Sequence, residues 1–314
     1  MSAAGLVGLA ILPHLMPHPF IGILLSVIIY AIGSGLIEVL VSPIVEACPF
    51  EHKDAVMSTL HSFYCWGCVG VIGLSTAFFA LFGMQNWRIL ACLWALIPFI
   101  NLFNFRVCPI ERLTEEGKGM TAGSLIKTNV FLLSVVLMVC AGACELSMAQ
   151  WASAYAEEAL GLSKTWGDLL GPCFFAVAMG TSRALYGSFS SRGKMNLLPC
   201  MMLSALLCLC CYLLAAFAQM PVLGLLGCIV CGFSVGIMWP GTISLCSARL
   251  PAGGTAMFAL LAMAGDLGGS IGPGLVGVLA QNAGDSLQNG MTVGCVFPVI
   301  LMAALLMLRK QQHG

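Results

Sequence analysis

Charge is what this chain has least of. Only 8% of its 314 residues are Asp, Glu, Lys or Arg, where soluble domains carry about 25%. Some 60% are hydrophobic and the mean hydropathy is +0.99, more apolar surface than a water-soluble fold can hide. Thirteen basic residues balance thirteen acidic ones, so there is no cationic surplus for nucleic acid. The first residues, SAAGLVGLAILPHLMPHPF, lack the basic stretch of a cleavable signal and open directly inside a hydrophobic segment. No Gly-rich nucleotide cradle appears, which disfavours direct ATP drive, and no cofactor is expected. Cysteine is plentiful, sixteen in all, but it is scattered through apolar runs such as Cys208, Cys210 and Cys211 rather than spaced in polar loops. That pattern suits small packing residues, not a disulfide frame or a metal site. Cys65 and Cys68 have the spacing of a redox dithiol, and they sit in an apolar helix with no soluble redox domain around it.

What is present is a series of helix-length apolar runs. Segments able to cross about 30 Å of hydrocarbon fall at residues 3–16 (short), 19–46, 55–82, 88–106, 128–156, 167–189, 194–217, 221–247, 254–281 and 291–308. They are separated by turn-forming or charged stretches such as PFEHKD, SSRGKMN and RLPAGG. The fold class is therefore an all-α polytopic membrane protein of about ten spans. When the loops are assigned to alternate sides, Lys53, Arg106, Arg112, Lys118, Lys127, Arg192, Lys194, Arg249, Arg309 and Lys310 fall together, and only Arg88 and Lys164 fall opposite. The positive-inside rule then places the long connector and the C-terminus in the cytoplasm. The chain divides into an N-terminal half of four spans (1–106), a linker (107–127) and a C-terminal half of six spans (128–314).

The halves echo one another. Residues 33–73 read as a Gly-rich helix, a Cys-Pro loop, Ala-Val-Met and a helix bearing Gly67, Gly70 and Gly73. Residues 232–277 read as Gly232, Gly236 and Pro240, a Leu-Pro loop, Ala256-Met257-Phe258 and GDLGGSIGPGLVG. Parallel repeats of this kind are a transporter architecture. Three further features are more specific. Asn86-Trp87-Arg88 opens a helix; Gly187-Ser-Phe-Ser-Ser-Arg192-Gly-Lys194 has the form of a cytoplasmic loop motif; and Gly272-Pro273 marks the penultimate span. With these the chain resembles the major facilitator superfamily (MFS), and within it the bacterial sugar-permease-like (fucose-permease-like) members. In the loop motif, Ser190 and Ser191 stand where the family often has an acid before the arginine. The family has twelve spans in two six-helix halves. The resemblance leads us to expect that the ten spans correspond to family spans three to twelve, with about 65 residues, two helices and a loop, absent ahead of them.

The resemblance implies a monomeric transporter of the bacterial plasma (inner) membrane that works by alternating access around a midplane site. Ionisable groups inside spans are the first candidates for that site, because each costs roughly 2.5–3.5 kcal/mol to insert. Glu145 is the leading one, in the family's cavity-lining span seven. At 100° per residue it shares a face with Met148, Ala152 and Tyr155, with Trp151 on the edge and Gln150 well round the helix. A carboxylate and an amide binding hydroxyls, with an indole on a sugar's C–H face, would form a sugar site. The alternative is that Glu145 holds a helix contact while Trp151 and, more typically, Tyr155 form an aromatic belt. Glu38 shares a stripe with Ser34 and Ser42, and Glu46 reads as a solvated boundary residue. His61 is a proton relay or a helix-contact histidine. Asp266, among glycines, is expected buried in its span, capping or pairing across a helix interface or taking part in coupling. Trp239-Pro240 is expected to kink its helix and turn an indole inward. Arg183 either snorkels, the favoured reading, or pairs with a buried acid. Gly187, Arg192 and Lys194 carry the cytoplasmic loop motif.

The function expected from these residues is secondary active transport of a small polar organic solute, sugars included, by proton symport, with Glu38, Glu145, Asp266 and His61 able to carry protons. The partners are then the solute, a co-transported proton or other ion, and the lipid bilayer. Rival readings are efflux of hydrophobic compounds through a cavity adapted by some of the eighteen methionines, an inactive fragment, and a membrane redox enzyme using Cys65 and Cys68.

Overall fold

The computed structural model describes residues 1–110, 119–284 and 286–313, and among these it is helical with no strand. In order the helices are α1 Ser2–Leu15, α2 Pro19–Ala47, α3 Lys53–Phe82, α4 Trp87–Val107, the short α5 Ala122–Leu125, α6 Asn129–Leu160, α7 Lys164–Asp168, α8 Phe174–Ser190, α9 Leu197–Phe217, α10 Pro221–Val235, α11 Met238–Arg249, α12 Gly254–Asn282, α13 Leu287–Gly294 and α14 Val296–His313. Eight helical stretches are long and apolar enough to cross a membrane. The other two expected spans are α1, 14 residues long, and the α7–α8 segment, which a π-turn at Leu169–Cys173 interrupts. Ten helical segments thus occupy the ten expected positions. Arg112 and Lys118, used in the charge alternation, lie outside the described residues.

The breaks have local causes. Pro172 sits in the π-turn, where the missing N–H cannot continue the α-helical ladder. Pro240 lies just after the turn that separates α10 from α11, so Trp239-Pro240 does mark an interruption of that span.

One compact unit comprises Met1–Cys48 and Leu74–Leu113. In it α1 lies against α2 and α4, with the backbones brought close at Gly5 beside Tyr30 and at Gly22 beside Leu12 and Pro13. Small residues are what allow such approach where lipid offers no hydrophobic drive. The Trp94 indole N–H donates to Ser75 Oγ at 3.2 Å.

The second unit comprises Pro49–Gly73 and Thr114–Gly314. Its axis is α6, against which α12, α14, α10 and α11 all pack. The core runs along α6 through Leu137, Cys140, Ala141, Ala143, Cys144, Met148, Ala152 and Tyr155. Dense contact with α12 depends on glycine. A side chain at Gly142 would land on the Gly265 carbonyl, and one at Gly268 on the Val139 carbonyl. All sixteen cysteines are free; Cys65, Cys140, Cys144, Cys208, Cys211, Cys228, Cys231 and Cys246 are buried. They fill tight helix contacts that larger residues would prise apart.

Candidate functional site

The face of α6 that bears Glu145 is the buried face. Glu145 is 7% exposed and Tyr155 1%, and Met148 and Ala152 are fully enclosed, while Gln150, on another side of the helix, is exposed. A buried carboxylate needs a partner, and it comes from α8: Arg183 Nη2 stands 3.1 Å from Glu145 Oε2. Arg183 is itself 2% exposed. The expectation that it would snorkel to the membrane edge is therefore wrong. The alternative reading, a pair with a buried acid, holds instead, and four acceptors meet its nitrogens.

Those acceptors come from three elements. Arg183 Nε donates to the Gly236 carbonyl at 2.7 Å. Pro240, four residues on, has no N–H to give that carbonyl, so the arginine supplies the donor the helix lacks. Nη1 donates to the His61 carbonyl at 2.9 Å and to Cys65 Sγ at 3.2 Å. In return, Ser58 Oγ donates to the Arg183 carbonyl at 2.8 Å. One planar guanidinium thus ties α6, the α10–α11 break and α3 together through α8, a task its rigid fork suits better than an ammonium.

The contact between α3 and α8 continues beyond the arginine. Gly187 fits beside Ala55 and Thr59, and Gly180 beside Cys65 and Trp66. Asp54 Oδ2 accepts from Tyr186 Oη at 2.7 Å and from Ser190 Oγ at 2.5 Å. Residue numbers rise along α3 as they fall along α8, so the pair is antiparallel. Asp54, Ser58, His61 and Cys65 recur at helical spacing along the α3 side of it.

Residues 1–273 match the family model of the Major Facilitator Superfamily. The chain belongs to that superfamily. It is therefore a transporter with a multi-pass membrane fold, not an enzyme. Solved structures with this fold include a point variant of the E. coli fucose:proton symporter FucP, at 14% identity, covering 98% of this chain and 81% of that one with a TM-score of 0.77. FucP in its outward conformation gives 15% identity, coverages of 97% and 80%, and a TM-score of 0.77. The human organic anion transporter MFSD10 (TETRAN) gives 15%, 97% and 75%, and 0.74. No curated protein matches the sequence significantly.

The superfamily member's other candidates are dispersed. Trp151 is part-buried, and its indole N–H donates to the Pro273 carbonyl of α12 at 3.1 Å; its ring lies where a side chain at Gly277 would sit. Trp239 also turns onto α12, its ring filling the space over Gly265. Both indoles fasten helices together in this arrangement. Tyr155 is buried inside the unit, its Oη 3.5 Å from both the Ala215 carbonyl and Gln288 Nε2. Asp266, expected buried, is exposed, with Ser270 Oγ donating to its carbonyl at 2.9 Å. Gly265, Gly268, Gly269 and Gly272 are buried on α12, and Asp266 falls on the side away from them. Glu38, in the first unit, is exposed, and Ser42, one turn on, is buried; Glu46 is buried instead of solvated. His61 is part-buried and contributes its carbonyl to the arginine. In the loop motif, Gly187 makes the α3 contact and Arg192 and Lys194 are exposed.

Reading the sequence did not join Arg183 to Glu145, nor Asp54 to Tyr186 and Ser190. The available signal was chemical: an arginine inside a span with no acid one turn away must find its counter-charge on another helix. At the other end of α6, Lys164 Nζ meets Asp168 Oδ1 at 2.7 Å, Ser153 Oγ at 2.9 Å and Glu157 Oε1 at 3.3 Å. The Asp168 hydrogen bond, first of several causes, holds this ammonium above its ordinary pKa.

Proposed function

We propose that the chain is a proton-coupled symporter of a small polar organic solute, with Glu145 as the proton-carrying group. The observation that carries this reading is the buried Glu145–Arg183 pair in a protein with so little charge. An acid in a span is costly, and a structural contact of equal strength could be built from apolar groups. An acid that alternates between a charged, arginine-bound form and a protonated, released form uses the cost. Sharing a fold with a fucose:proton symporter supports both the proton and a polyhydroxylated solute.

Alternating access needs a joint that opens. By its place in the sequence α3 counts with the first half, 1–106, ahead of the linker 107–127 and the second half, 128–314. Its Pro49–Gly73 stretch nevertheless packs in the unit that contains α8, which favours the α3–α8 pair as that joint. The basic loops and the C-terminus face the cytoplasm in this reading, the protein is a monomer, and the membrane is the bacterial plasma membrane. Gln150, Trp151, Met148, Glu38, His61, Asp266 and Trp239 are candidates for contacting the solute or relaying the proton as the cavity changes shape.

The test begins with thermal stabilisation of the purified protein by a panel of neutral monosaccharides and polyols. The best stabiliser is then offered to proteoliposomes under an imposed pH gradient. Accumulation above equilibrium, abolished by a protonophore, is the expected result. Uptake that ignores the gradient would remove proton coupling, and a panel without any stabiliser would remove the polar-solute class.

A further inference from the structure

We propose that Tyr64, on the flank of α3 turned toward α6, contacts the solute, its ring taking the C–H face of a ring-form sugar and its hydroxyl a sugar hydroxyl. This rests on the reading of the chain as a carrier of a polar solute and names a residue that would select it. The placement follows from helical phase. Asp54, Ser58, His61 and Cys65 mark the side of α3 that meets α8. Trp66 lies to one flank of that side, against Gly180. At 100° per residue Tyr64 and Cys68 fall on the other flank, where the two side chains hydrogen-bond one turn apart. Tyr64, Cys65 and Cys68 are all within electrostatic reach of Glu145, so this flank is the one that looks toward α6.

Depth decides what the flank meets. Tyr64 is 55% exposed, and counted from Lys53 it lies about 16 Å along α3, near the middle of about 30 Å of hydrocarbon. Tyrosines that border lipid collect at the two interfaces, where the hydroxyl reaches water. A hydroxyl held against acyl chains at mid-depth has no such outlet and is costly. Phe63, the preceding residue, is exposed on the side away from α8 and carries no polar atom, as a lipid-facing position requires. The exposed phenol therefore borders a polar cleft. It offers a flat apolar face and one group that both donates and accepts. A sugar ring presents hydroxyls at its edge and C–H groups on its face, whereas an open-chain polyol has the hydroxyls without the face.

The first arm of the test needs no solute. Purified wild-type protein in detergent micelles is treated with the charged thiol reagent MTSET, which reacts from water, and the modified cysteines are located by peptide mass spectrometry. Cys210 is the internal control: it is exposed on α9 along the same side as Leu203, Leu206 and Leu213. Cys68, only half-buried, should react about tenfold faster than Cys210 or more, since a fixed charge enters hydrocarbon poorly. A Cys68 rate equal to or below that of Cys210 would put the Tyr64 flank against lipid and overturn the proposal.

The second arm measures protection of Cys68 by neutral monosaccharides, each paired with its open-chain alditol. At least one ring sugar should protect, and better than its alditol. Tyr64→Phe keeps the face and loses the hydroxyl, and should raise the half-protecting concentration about three- to tenfold. Tyr64→Leu loses both; it should raise that concentration by about tenfold or more and erase the preference for ring over chain, which a merely structural tyrosine would not govern. Parent-like protection and preference in Tyr64→Leu overturns the proposal. Should that variant fail to insert, an unchanged half-protecting concentration in Tyr64→Phe does the same. A sugar that thermally stabilises the parent and both variants alike leaves the polar-solute reading standing and removes Tyr64 from its site. Reagent access at Cys68 with no sugar that protects or stabilises removes the polar-solute reading and the sugar contact together.

Discussion

Arg183→Lys keeps the charge and removes the fork, and its expected cost can be worked from four bonds. The arginine serves Gly236, His61, Cys65 and Glu145 at 2.7, 2.9, 3.2 and 3.1 Å. Its nitrogens spread over a rigid plane, so acceptors on three elements are met at once. A lysine has one nitrogen at the end of its stem and will stay with the carboxylate, where the Coulomb attraction is. The Gly236 carbonyl then has no donor, because Pro240 cannot restore the helical bond. A buried acceptor left unsatisfied costs about 1–3 kcal/mol. Arg183→Met goes further and strands the carboxylate, for which about 3–5 kcal/mol is expected. The order wild type, Lys, Met should appear as successive losses of stability in detergent, followed by thermal unfolding of the purified protein. Pro240→Ala supplies an N–H to Gly236 and should recover about 1 kcal/mol in the Arg183→Lys background, with no comparable gain in the wild type. A lysine variant as stable as wild type, or one that Pro240→Ala does not help, would refute the idea that the arginine completes the broken helix.

Three further outcomes follow from the packing. Gly142→Ala and Gly268→Ala drive a methyl into a carbonyl of the facing helix and should each cost about 1–3 kcal/mol in the same unfolding assay, whereas Gly274→Ala, which meets open space, should be neutral; equal effects at all three would mean that α6 and α12 are not in close contact. Trp151→Phe loses the bond to the Pro273 carbonyl and should lower stability by about 1 kcal/mol without affecting membrane insertion. Cys65→Ser and Cys68→Ser should leave solute uptake intact, and loss of uptake in both would mean that the dithiol does more than pack.

The features legible in the sequence were those that depend on one helix at a time. Hydropathy and turn residues placed ten segments, helical periodicity grouped Glu145, Met148, Ala152 and Tyr155 on one side of α6, and Trp239-Pro240 signalled the interruption between α10 and α11. The features that escaped depend on which helix meets which. Glu145 and Arg183 are 38 residues apart, and no local pattern joins them. Asp266 was read as buried because glycines flank it. Glycines bury the helix side they lie on, and residue 266 falls between them in sequence but away from them in projection. Tyr155 was also open to an alternative reading as an aromatic-belt residue. Gly224 leaves room for its hydroxyl inside the unit instead, and that glycine is 69 residues away.

The central claim is that Glu145 carries the proton that accompanies the solute. The most direct measurement is solute-induced proton uptake, followed with a pH-sensitive dye outside proteoliposomes that contain the wild type or Glu145→Gln. The wild type should alkalinise the medium as solute enters. The Gln variant should still exchange solute down its own gradient while moving no protons. Proton uptake by Glu145→Gln at the wild-type ratio to solute would contradict the account.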